Sequence, residues 1–287
     1  MKPFKTYKQQ LTILRDRELQ IPNESRAIRK LETENYYCII NGYKDEFLRS
    51  TSPEKYMRYV TFDELICAVD MDRELRLVYL EYLIKIEKSI KTQIAYVFSR
   101  NHPNNTRAFL DFNNYDNSRR ERGFSGCIHD TISLFLKKMG DNNESIRHYI
   151  NNHQEVPFWI IINSLTMGEV AYVYFYLKSH QRNDIAAYYS HHRRTEHQNN
   201  TIRVNEDDIK KMLKQGNIFR NACAHDYRFY KKRSASFNIA SLKNHMKYFL
   251  TKREFDTFTK KLDNIKEKYQ SKINPTSFSK MMQVSGL

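Results

Sequence analysis

The residues best equipped for chemistry stand together in Phe219-Arg220-Asn221-Ala222-Cys223-Ala224-His225-Asp226-Tyr227-Arg228. Residues four apart share a helix face, so Asn221 and His225 point the same way and Arg220 sits on the flank of that face. An imidazole with a pKa of about 6.5 accepts or donates a proton at neutral pH. A guanidinium fork grips a phosphate and stabilises the extra charge of its transition state. An amide orients a neighbour by hydrogen bonding without titrating. The three groups suit an RNA phosphodiester, because RNA carries its own nucleophile in the 2′-hydroxyl and no metal or cofactor is then required. Arg-x-x-x-x-His also arises by chance in many helices, with both side chains on a solvated rim.

Downstream, Arg228, Tyr230, Lys231, Lys232 and Arg233 interleave charge with aromatics, as expected where phosphates are neutralised and bases stack. A solvated helix end with a buried tyrosine fits the same letters. Glu87 could orient Arg220 or His225, or simply pair with Lys91 one turn away. His180, His191, His192 and His197 lie in a polar stretch without carboxylates or thiols at ligand spacing, so no metal site is expected. Asp207 and Asp208 read as helix capping. Cys38, Cys67, Cys127 and Cys223 form no C-x-x-C pair and read as buried small hydrophobes.

The elements that must position these groups are helical. The 287 residues contain only 7 glycines and 6 prolines, too few breakers for sandwiches or doubly wound sheets. Lysine and arginine exceed aspartate and glutamate by 48 to 33, a net charge of +15 that favours polyanionic partners, nucleic acid first. No stretch approaches the ~18 apolar residues of a spanning helix, and the start lacks the apolar core of a secretory signal. A cytoplasmic protein is expected.

Residues 7–20, then a segment from near Arg26, read as a small helical hairpin, followed by a turn at Asn41-Gly42. Thr61-Phe62-Asp63-Glu64 has the form of a capping box and opens a long helix to about Val97, with Asp70-Met71-Asp72 as a possible interruption. Residues 101–122 read as a long polar surface segment. A helix near 128–139 and another opened by Pro157 follow, the latter trailed by a second box at Thr166-Met167-Gly168-Glu169. Residues 179–203 read as a loop or weak helix. Asn205 caps the helix that carries Arg220, and a final helix is expected over about 241–265. Trp159, Tyr172, Tyr174, Phe175 and Tyr176 read as core or dimer surface.

Arg220-Asn221-Ala222-Cys223-Ala224-His225-Asp226-Tyr227-Arg228 resembles the R-N-x-x-A-H-x-x-R signature of the abortive-infection phage-resistance proteins of the AbiD and AbiF type, members of the HEPN superfamily. Lys2-Pro3, Tyr36-Tyr37 with Asn41-Gly42-Tyr43, Asp72-Arg73-Glu74-Leu75-Arg76 with Ile86 to Ile94, and Pro157-Phe158-Trp159 with Leu165-Thr166-Met167-Gly168 resemble that family in order. The resemblance implies an all-α, HEPN-like helical bundle. We expect an N-terminal helical subdomain over 1–60 and a HEPN-like domain over 61–287. It further implies a metal-independent endoribonuclease with Arg220, Asn221 and His225 catalytic. Two copies of the motif would meet in a homodimer, and attack by the 2′-hydroxyl would leave a 2′,3′-cyclic phosphate. Such a toxin would be held in check by a small non-coding RNA or a partner protein. The alternatives are a non-catalytic module that holds a structured RNA in a basic cleft, and a helical protein–protein adaptor.

Overall fold

The computed structural model describes residues 3–120, 127–225 and 228–287. The chain divides into two compact units. One comprises Met1–Leu80, Asn221–Ser241 and Thr257–Leu287, and the other Glu81–Arg220 and Leu242–Asp256. Both are helical; one short hairpin supplies the only strands among the described residues, so the all-α expectation holds. No described helix is long and apolar enough to cross a membrane.

In the first unit α1 (Tyr7–Asp16) and α2 (Glu24–Thr33) form the expected hairpin, burying Leu11 and Leu14 against Ala27 and Leu31. Irregular helical turns over Tyr37–Asn41 and Lys44–Phe47 lead into strands β1 (Leu48–Thr51) and β2 (Glu54–Tyr56), antiparallel with Leu48 opposite Tyr56. Gly42 has helical angles (φ −67°, ψ −41°), so the chain does not reverse at Asn41-Gly42 as expected. The box at Thr61 forms: the Glu64 amide donates to the threonine hydroxyl at 3.2 Å and the Thr61 amide to the glutamate at 3.1 Å. It launches α3 (Phe62–Asn101), which runs 40 residues without a break at Asp70-Met71-Asp72. Asp72 interrupts the apolar lettering, not the helix, because donors elsewhere in the unit meet its carboxylate. Tyr79 centres an aromatic cluster with Phe229 and Phe258, at 5.0 and 5.1 Å between ring centres.

In the second unit the rest of α3 buries Leu83, Ile86, Ile90, Ile94 and Phe98. Then come α4 (Ile128–Gly140), α5 (Glu144–His153), α6 (Phe158–Ile161) and α7 (Met167–Tyr176). The box at Thr166 and Glu169 forms at the start of α7. Phe158 meets Phe98, Phe109 and Phe135 at 4.8, 5.5 and 5.8 Å, so Phe109, from the segment read as surface, belongs to the core. Tyr174, Phe175 and Tyr176 are buried, whereas Trp159 is exposed.

Residues 179–197 form a full helix, α8 (Ser179–His197), where a loop or weak helix was expected. Its inner face is written largely in polar letters, which hides the apolar period. Buried Gln181, Arg182, Ser190 and Arg193 share that face with Ile185, Ala186 and Tyr189. Each of these side chains meets a partner: Gln181 accepts from the Lys178 amide at 3.1 Å, Arg182 bonds Glu206 at 2.5 Å, Ser190 donates to the Val204 carbonyl at 3.0 Å, and Arg193 bonds Glu196 at 2.7 Å. α9 (Glu206–Ala224) follows, and α7 crosses it closely: a Cβ on Gly216 would stand 2.4 Å from the Met167 methyl.

The single final helix expected over 241–265 is two, α10 (Ile239–Met246) and α11 (Lys252–Gln270), and α12 (Pro275–Ser285) follows. Another capping box, Thr251 with Glu254, restarts the chain at α11. Asn274 caps α12 ahead of a first-turn proline. Phe158→Ala should lower stability by about 3–5 kcal/mol, the cost of an unfilled aromatic core site, read as a shift of the urea unfolding midpoint.

Candidate active site

Asn205 and Asp208 exchange side-chain and backbone hydrogen bonds at 2.9 and 3.0 Å, fixing the start of α9 as the sequence predicts. Ile209, Met212, Leu213 and Phe219 face inward and set the rotation of the helix. Helical bonding continues one residue past its end, where the His225 amide donates to the Asn221 carbonyl at 3.0 Å. Asn221 and His225 therefore lie one turn apart on an exposed face, with Ala222 and Cys223 turned inward. Burial pushes the Cys223 thiol far above its ordinary range, with a smaller contribution from the Asp72 charge. Arg220, half-buried, immediately precedes Asn221 on α9 and closes the second unit.

A helix end leaves carbonyls without partners. Here the His225 carbonyl accepts a hydrogen bond from Arg76 at 3.0 Å, and Arg76 is itself 7 % exposed. One turn back on α3, wholly buried Asp72 accepts from the Phe229 amide at 3.0 Å, the Tyr230 amide at 2.7 Å and the Tyr43 hydroxyl at 2.8 Å. The Arg76 Nε lies 4.0 Å from the same carboxylate. The chain is thus gripped on both sides of Asp226-Tyr227, two motif residues that lie outside those described. Burial pushes the Asp72 carboxyl up to about 6, and the two amides, the phenol and Arg76 oppose that rise.

The basic stretch beyond the motif divides. Tyr230 is 1 % exposed, stacks on Tyr43 at 5.7 Å and donates its hydroxyl to Glu46 at 2.5 Å. A phenol shut from water needs an acceptor, and meeting one in the core removes this ring from any stacking surface. Lys231 is held by Asp45 at 2.9 Å and Glu46 at 2.7 Å. Lys232 is half-buried, and Arg233 is exposed. Arg228 is exposed, donates to the Asn41 carbonyl at 3.3 Å and lays its stem beside Gly42. The model of the family described as Abi-like protein matches residues 29–231, well over half the chain and with the whole motif inside. The chain belongs to the Abi-like family. Comparison with curated proteins and with solved structures finds no match.

In this Abi-like chain half-buried Glu87 pairs with Lys91 at 2.7 Å, and buried Lys91 also reaches the Leu165 carbonyl, so the pair is structural. Asp207 pairs with Lys210 at 2.7 Å. Among the described residues no three histidine, cysteine, aspartate or glutamate side chains gather as metal ligands would. Of the cysteines only Cys223 is buried; Cys38 and Cys127 are exposed and Cys67 half-buried, against the expectation. By sequence Asp72 reads only as part of an interruption and of a family-like block, Arg76 only within that block, and neither takes a role beside the motif. The available signal was their spacing: they sit four apart on the stripe of Leu65, Ala68, Val69, Tyr79 and Leu83, where charges survive only if partnered.

Arg76→Met should cost about 3 kcal/mol or more, because it leaves a buried carboxylate without its counter-charge and a helix-end carbonyl without its donor, as a denaturation midpoint would show. Asp72 supplies a pH signature of unusual sign. Its folded pKa of about 6 lies above the unfolded value, so between about pH 4 and pH 6 the folded protein keeps a proton that the unfolded chain has lost. Its contribution to stability is therefore present at low pH and falls as pH rises through that window, with a slope of up to about 1.4 kcal/mol per pH unit. Asp72→Asn should be less stable and lack that fall, measurable by urea titrations at stepped pH.

Proposed function

We propose that this Abi-like protein is a metal-independent endoribonuclease of the HEPN type acting in abortive-infection defence against phage, in the cytoplasm, with Arg220, Asn221 and His225 as its catalytic set. The observation that carries the reading is the state of His225: an exposed imidazole, one helical turn from Asn221, on a backbone that Arg76 and buried Asp72 hold in place. Such an imidazole is accessible to substrate and carried on a fixed backbone, which suits a proton-transfer group.

The imidazole accepts the proton of the 2′-hydroxyl as that oxygen attacks phosphorus. The bond to the 5′-oxygen breaks, that oxygen leaves with a proton, and a 2′,3′-cyclic phosphate remains. The Arg220 guanidinium offsets the charge gathered on the phosphoryl oxygens, and Asn221 orients the phosphate or the imidazole. The chain carries one copy of the motif, so a homodimer would bring two sets to one cleft, one imidazole accepting the proton and the other protonating the departing oxygen. The net charge of +15 draws RNA in, with Arg228, Lys232 and Arg233 as contacts. A small RNA or a partner protein would restrain the toxin.

Labelled RNA incubated with the protein in EDTA should yield fragments ending in 2′,3′-cyclic phosphate. Arg220→Ala and His225→Ala should each slow cleavage by at least about 10²-fold with RNA affinity changed only a few-fold. Unimpaired cutting by His225→Ala would overturn the assignment, and loss of activity in EDTA would point to a metal. Salt-dependent binding without products would favour the non-catalytic module.

A further inference from the structure

Beside the motif, Glu34, Tyr37, Cys38, Gly42, Tyr43 and Arg228 line a cavity of about 260 Å³. We propose that it is a subsite for one unpaired nucleotide of an RNA, with the base laid on the Tyr37 ring and the phosphate on the Arg228 guanidinium; this rests on the reading of RNA as substrate.

Tyr37 is 66 % exposed while its neighbours Ile39, Ile40 and Tyr43 are buried, so an aromatic face stands open at the cavity wall. Every base has a π-face that such a ring can stack. Arg228 spends one N–H on the Asn41 carbonyl, which steadies the fork at the rim while its other donors remain for an anion. Glu34 is countered by Lys30 at 3.4 Å and Arg73 at 3.2 Å, which weakens its repulsion of a phosphate. A base paired in a duplex could not enter a space of this size.

The cavity is also tied to the motif. Tyr43, one of its walls, donates to Asp72, the same carboxylate that holds the Phe229 and Tyr230 amides. Arg228 stands three residues beyond His225, and Arg76 holds the His225 carbonyl. A nucleotide in the cavity is therefore held in fixed register with the imidazole.

The exposed Cys38 thiol in the lining reports on occupancy, and the exposed Cys127 thiol serves as internal control. The full chain would be treated with iodoacetamide in EDTA with and without a single-stranded oligoadenylate of about ten nucleotides, and modification read by mass spectrometry. We expect Cys38 alone to be protected at saturation and unprotected when the same RNA is supplied as a duplex. Tyr37→Ala should weaken oligonucleotide binding by about tenfold, the loss of one base stack, while Tyr37→Phe retains affinity. Arg228→Ala should weaken binding and flatten its salt dependence. Protection of Cys38 without any cleavage by the wild type would leave the subsite standing and remove the nuclease reading. Cleavage with Cys38 unprotected and Tyr37→Ala unimpaired would overturn the subsite and leave the nuclease. Failure to retain the oligonucleotide at moderate salt would overturn both.

Discussion

A carboxylate removed from water survives only if donors replace the hydration it has lost. Asp72 has no solvent exposure, and its donors come from two places far apart in the chain, the phenol of Tyr43 and the amides of Phe229 and Tyr230, with the Arg76 guanidinium beside it as a counter-charge at 4.0 Å. Meeting that demand fixes where the segment beyond the motif must run. Neither amide could be satisfied at this position if residues 228–230 were displaced. Arg76 carries the constraint across the motif, because it also holds the carbonyl of His225. A helix terminus that would otherwise fray thereby becomes a defined support for an exposed imidazole.

The same logic divides the charges that follow. Six residues from Arg228 to Arg233 contain four cations, yet they do not form one basic strip. Tyr230 and Lys231 turn toward Glu46 and Asp45 and fasten the irregular turn at Lys44–Phe47. Arg228 and Arg233 are exposed. Net charge thus describes how the whole chain attracts a polyanion, while local acids decide which cations are left to touch it.

Polar groups also do structural work in the second unit. Arg182 and Arg193 on α8 and Lys91 on α3 are buried and each is bonded to a glutamate. Losing either partner of such a pair costs more than the pair itself contributes, since the survivor keeps its desolvation penalty. Helices built this way are poorly marked in the one-dimensional text.

Local physics was readable. The boxes at Thr61, Thr166 and Asn205 depend on groups three residues apart, and the stripes of α3 and α9 on neighbours three and four apart, so helix starts and inner faces follow from adjacent letters. The Arg220, Asn221 and His225 cluster is likewise local, and with the surrounding blocks it pointed to the Abi-like family before any coordinate. The box at Thr251 and the cap at Asn274 rest on equally local letters that do not stand out from the surrounding text. Tertiary structure alone decided that α8 is a helix with a polar inner face, that Tyr230 faces the core, and that Cys38 is exposed. It alone placed Asp72 beneath amides 157 and 158 positions away. The reason is that a polar side chain is buried or exposed according to whether folding brings it a partner, and a partner that distant leaves no periodic trace in the sequence.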